Sequence, residues 1–143
     1  MDGLTAAFYQ RLAGDSTLAA DLAEYPDGSG VPAVFTDDRV PDDARPPYIS
    51  TAGVLSDEAW DTKDVPGRFI NRDVYLFFPH RQTDRIERAT ERVRTLFHRH
   101  RLHVDGWQTV VARTSVRPVG ADDYDARIVT VSLRMMSNGE ESP

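Results

Sequence analysis

Leu4, Phe8 and Leu12, flanked by Ala6 and Ala7, recur at helical spacing while Gln10 and Arg11 fall on the other side, which predicts a helix over 4–12. Gly14 supplies a stop, and Asp15-Ser16-Thr17 offers an N-cap for a second turn of helix through Leu18 and Leu22. The pattern breaks at Pro26-Asp27-Gly28-Ser29-Gly30, and five of the nine prolines fall within 25–47. Inside that stretch Val31, Ala33, Val34 and Phe35 predict one short strand at a sheet edge, ordered only by packing on something else.

Residues 48–54 (Tyr-Ile-Ser-Thr-Ala-Gly-Val) are the next strand candidate, and 56–67 read as a long polar, acidic loop with Trp60 in its middle. The clearest strand runs from Arg68 to Phe78, where Val74 to Phe78 are β-branched or aromatic nearly throughout, and Pro79 ends it. From Asp84 the period changes to that of a helix over 84–100, with Ile86, Ala89, Val93, Leu96 and Phe97 on one face. Asp84 is the expected cap, with Glu87 completing a capping box. Arg85, Arg88, Glu91, Arg92 and Arg99 take the opposite face. Residues 107–116 and 126–136 alternate as two strands around a turn at Gly120-Ala121-Asp122-Asp123, most simply an antiparallel hairpin. The tail 137–143 is expected to fray. Together these elements predict an α+β fold, one domain over 1–143, with a mainly antiparallel sheet and helices packed on one face.

The length of 143 residues suits that single domain. No apolar run approaches the roughly 18 residues of a membrane span, and Met1-Asp2-Gly3-Leu4 lacks the basic start and apolar stretch of a secretory signal. No membrane partner is expected. There is no cysteine, which removes disulfides, thiol catalysis, iron–sulfur clusters and cysteine-ligated zinc together. The formal charge of −6 argues against a protein that coats nucleic acid nonspecifically.

Catalytic chemistry finds no footing. His98-Arg99-His100-Arg101-Leu102-His103 is the densest titratable cluster, and His100 and His103 share a face if the helix continues. Three arginines around that turn disfavour a dication, so a basic helix end facing the negative end of the dipole is the favoured reading and no metal is assigned. Asp37-Asp38, Asp42-Asp43 and Asp122-Asp123 match no calcium-loop pattern and read as solvated turns. There is no phosphate-cradle, nucleophile-elbow or zincin motif. No enzyme activity and no cofactor are expected. Trp107, directly after Asp105-Gly106, reads as a cap on the core, whereas Trp60 in its polar loop reads as a contact residue.

A short N-terminal helix pair, a Pro-rich stretch and Pro-Pro-Tyr-Ile-Ser at 46–50 precede the polar loop and the aromatic strand Asp73-Val74-Tyr75-Leu76-Phe77. The 84–100 helix, Leu102-His103-Val104-Asp105-Gly106 and a final strand pair ending near Met136 complete the chain. This layout, from about residue 4 to 136, resembles the tail-completion or tail-terminator family of long-tailed phages, prophages and gene transfer agents. The resemblance implies a structural, non-enzymatic virion protein. It would form a ring, usually a hexamer, that caps the tail tube, stops its growth and joins the tail to the head.

The partners it implies are further copies of itself, the tail tube protein and head–tail connector proteins. The implied location is the head-proximal end of the virion tail, after assembly in the host cytoplasm. A compact chain of this length has a radius of gyration of about 14–15 Å. Six such units in a ring enclose a hole as wide as one subunit, through which DNA passes without specific binding. On this reading Asp57, Glu58, Trp60, Asp61, Lys63, Asp64 and Arg68 form the loop that contacts a neighbouring subunit or the tube. A head–tail adaptor of the neck is the nearest alternative; a small host binding module or an unrecognised hydrolase comes from other classes.

Overall fold

The two longest alternating stretches of the chain lie side by side within a single sheet. The computed structural model describes residues 3–36, 40–51, 56–59, 61, 65–102, 104–119 and 123–137. The chain runs α1 (Leu4–Ala13), α2 (Ser16–Ala19), β1 (Val34–Phe35), β2 (Tyr48–Ser50), β3 (Ser56–Ala59) and β4 (Gly67–Phe78). It continues through α3 (Thr83–Phe97), β5 (Trp107–Val119) and β6 (Asp125–Ser137). The strands are ordered β1-β2-β4-β6-β5, and β3 also pairs with β4. Both β2 and β3 use the same edge of β4, β2 opposite Tyr75–Phe77 and β3 opposite Arg68–Asn71. Every pairing is antiparallel except β1 with β2, so the sheet is mixed.

Register sorts the side chains onto two faces, because neighbouring residues of a strand point oppositely. Ile70 and Val74 of β4 stand opposite Leu133 and Val129 of β6. These four, with Leu76, Phe78, Val131, Met135, Val34, Ile49 and Ala112, belong to one apolar cluster. The same cluster contains Leu4, Phe8 and Leu12 of α1 and Ile86, Ala89, Val93 and Phe97 of α3. Phe8 stacks on Phe97 with ring centroids 4.8 Å apart. Trp107 packs against this cluster, as its place after Asp105-Gly106 predicts.

Arginines tie the N-terminal helices to α3. Asp15 caps α2 by accepting from the Leu18 N–H at 2.9 Å, and the same carboxylate receives Arg92 Nε and Nη2 at 2.9 and 2.7 Å. Asp21 receives Arg88 in the same forked manner, while Arg85 donates to its carbonyl at 2.8 Å. Arg11 donates to the carbonyls of Leu96 (3.1 Å) and Arg101 (2.7 Å), supplying a partner at the C-terminal end of α3. The Pro-rich stretch is held by backbone hydrogen bonds, Ala23 N–H to Pro47 at 2.8 Å and Ala33 N–H to Ala23 at 2.8 Å. Within it Val34–Phe35 forms the short edge strand, narrower than the Val31 to Phe35 stretch that its sequence predicts.

Four expectations need correction. The long polar loop is in part a strand: Ser56–Ala59 forms β3 on the edge of β4. No residue of Ser-Asp-Glu-Ala favours a strand, so the free ladder of β4 supplies the preference. Asp84 does not cap α3; Gln82 holds the N-cap position without a side-chain cap bond, and Asp84 lies in the first turn, where its charge still suits the helix dipole. The helix stops at Phe97 rather than 100, because His98 turns extended and Arg99 enters the left-handed region (φ 60°). Ser137 is not frayed; it ends β6, its N–H donating to the Pro66 carbonyl at 2.9 Å. Residues 138–143, like 52–54 of the expected strand and 120–122 of the expected turn, lie outside the described residues.

Candidate functional site

Four of the sequence-predicted contact residues, Asp57, Glu58, Asp61 and Arg68, lie on or beside the paired strands β3 and β4. Asp57 pairs in register with Ile70 and Glu58 with Phe69, and both acidic residues are exposed. Arg68 approaches Asp57 at 3.8 Å with both side chains well solvated, a geometry worth little stability. Asp61 accepts from the Gly67 N–H at 3.0 Å, which closes the hairpin where β4 begins. Asp57, Glu58, Asp61 and Arg68 therefore share one hairpin at the sheet margin. Trp60, Lys63 and Asp64 lie outside the described residues. Among the described residues β3 pairs only with β4, leaving its other edge without a strand.

The opposite margin of the sheet is β5, and its chemistry is the reverse. It exposes Val110 (50%) and Val116 (43%), two of the four most exposed large apolar side chains described. Its register slips between Thr109 and Val111, a bulge of the kind that blunts edges. The turn after α3 lies along this margin. The Arg99 N–H donates to the Ala112 carbonyl at 3.1 Å, and the Thr114 N–H donates to His98 Nδ1 at 3.3 Å. Those two bonds pull His98 and Arg99 out of the helix, and they also occupy the middle of the β5 edge.

Between that turn and β5 opens a cleft of about 550 Å³ lined by His98, Arg99, His100, Arg101, Val110 and Arg113, among others. The cleft absorbs most of the histidine–arginine cluster singled out in the sequence. His100 does not share a helical face with His103, since the helix has already ended, and His103 lies outside the described residues. Among the described residues no group of three or more His, Asp or Glu side chains is placed to hold a metal ion.

The sheet face away from the apolar cluster is divided. One half is a row of half-buried rings: Tyr25 to Phe35 (5.3 Å), Phe35 to Tyr48 (5.8 Å), Tyr48 to Phe77 (5.1 Å) and Phe77 to Tyr75 (6.1 Å). Burial pushes the Tyr48 phenol up. The other half is a polar lattice in which Ser132 donates to Asn71 at 2.5 Å and Thr130 to Asp73 at 2.6 Å. Neither half was read from the sequence, although the alternation of 69–78 already separates Tyr75 and Phe77 from Leu76 and Phe78.

No protein-family model matches the chain, and no curated protein matches it. Among solved structures the chain is similar to a chain in the virion of a native gene transfer agent (GTA) particle, with 20% sequence identity and a TM-score of 0.71. The likeness covers 94% of this chain and 95% of that one. The two chains share a fold from end to end.

Proposed function

We propose that this chain is a structural virion protein and, more finely, the terminator of a phage-type tail. In that role it forms a ring on the finished tube, ends tube growth and presents the surface to which the head attaches. The observation that carries the reading is the end-to-end likeness of fold to a chain of a GTA virion. The order of elements, which resembles the tail-completion family, supports the finer role. A closed ring needs two unlike patches on each subunit, and the acidic β3 margin and basic β5 margin supply a pair. The partners are copies of itself, most simply six, with the tube protein on one side and head–tail connector proteins on the other. DNA passes through the lumen without specific binding, and the role is not enzymatic.

The test is mass by light scattering across a concentration series, with and without tubes assembled from the cognate tube protein, read beside negative-stain images. Rings that form at high concentration or on tube tips, and that block further addition of tube subunits, are expected. Binding to connector proteins without binding to tubes would instead make the protein a neck adaptor. Substituting Trp60 by Ser is expected to weaken rings while leaving the monomer's melting temperature nearly unchanged; equal loss of both would move Trp60 into the core.

A further inference from the structure

Seven described arginines, Arg68, Arg85, Arg88, Arg92, Arg94, Arg117 and Arg127, sit within 4 Å of a carboxylate. Several others have no ion pair among the described residues, and three of these, Arg99, Arg101 and Arg113, come together along the cleft beside β5. The described lining of that cleft contains no carboxylate. Clustered cations without counter-ions repel one another, so the cleft is electrostatically incomplete as it stands. Val110 adds an exposed apolar wall.

The opposite margin of the same sheet presents the complement. Asp57, Glu58 and Asp61 are exposed on the hairpin of β3 and β4, and among the described residues Arg68, at 3.8 Å from Asp57, is the one cation paired with them. Acid and base thus stand at opposite ends of one strand order, β3 on β4 at one side and β5 at the other. We propose that the cleft beside β5 receives the β3–β4 hairpin of a second copy of this chain, joining subunits head to tail. The inference rests on the ring reading above and names its interface. Strand addition along the whole of β5 is not the mode, because Arg99 and His98 already occupy the edge at Ala112 and Thr114. The hairpin seats instead as a charged plug, with its carboxylates among the three guanidinium groups.

Charge reversal tests this, since all four substituted positions are solvated and a melting curve verifies that each variant folds. Asp57→Arg with Glu58→Arg, and separately Arg101→Glu with Arg113→Glu, are each expected to remain monomeric at concentrations where the unaltered chain forms rings. A chain carrying all four substitutions is expected to regain rings, because its hairpin and cleft are again complementary. Ring formation should weaken as salt rises, the screening length shrinking from about 10 Å at 0.1 M to about 3 Å at 1 M. Rings indifferent to both double variants overturn the interface and leave the ring reading standing. Loss in both without rescue in the fourfold variant overturns it too, as does a cleft variant that loses only duplex-DNA binding. An unaltered chain that stays monomeric even with tubes overturns the ring reading, and this inference with it.

Discussion

Arg72 is clasped by Thr51 in the interior of the fold: Nε donates to Thr51 Oγ1 and Nη2 to the Thr51 carbonyl, both at 2.8 Å. Nη1 reaches Thr5 Oγ1 at 3.0 Å, and the guanidinium lies 5.1 Å from the centre of the Phe8 ring. Arg72 is fully buried, and among the described residues no carboxylate pairs with it. Burial lowers its pKa, yet a guanidinium stays protonated, so neutral acceptors and an aromatic face carry the whole compensation.

Arg72→Lys is therefore expected to destabilise by about 1–3 kcal/mol, since an ammonium cannot reproduce the fork and leaves a buried acceptor unmet. Arg72→Ala should cost more, because it adds a cavity. Urea titrations followed by circular dichroism measure both; an unchanged midpoint in Arg72→Ala would refute the clasp as a source of stability.

The carboxylates at the helix junction predict an acid limb. The Arg92 fork holds the Asp15 carboxyl below its ordinary 3.8, and the Arg88 fork does the same for Asp21. A depressed folded-state pKa gives stability that is complete above the unfolded value and is lost as pH falls through the folded one. Melting temperature should thus hold above about pH 5 and fall steadily below about pH 4. Asp21→Asn should start lower at neutral pH and fall less on acidification. A parallel fall in both proteins would count against the pairing.

Zinc is expected to leave the melting temperature unchanged. A ligand held only by the native state raises apparent stability, and His98 Nδ1 is already engaged by the Thr114 N–H. A rise that disappears in His100→Ala would refute this.

The helix pattern over 86–97 and the alternation over 126–136 were legible because each element meets the core with a strict period. Asp15 was legible as a cap for the same local reason. β3 was not, since Ser56–Ala59 becomes a strand only through a partner remote in sequence. The early end of α3 was hidden similarly: it is set by Ala112 and Thr114 on β5, not by anything in 98–100. Arg72 did leave a signal, because it shares its alternation with Ile70, Val74 and Leu76, which placed a charge on the apolar face. The cleft could not be read at all. It exists where Arg113 is carried beside Arg99 and Arg101, and only the fold joins those stretches.

The position of β4 between its early and late neighbours governs how the chain must find its shape. β5 and β6 are close neighbours along the chain, Val119 pairing with Ala126, but β4 cannot reach β6 until α3 and β5 have been looped out between them. Loop closure is an entropic debt incurred before any contact rewards it, so the hairpin and α3 are expected to condense first and to template β4, with β1 and β2 adding last. Val129→Ala, in the strand shared by both ladders, should then mainly slow folding, whereas Ile49→Val in β2 should mainly speed unfolding. Chevron plots of the two variants would reveal the order, and the reverse assignment would mean that the chain assembles from its N-terminal half.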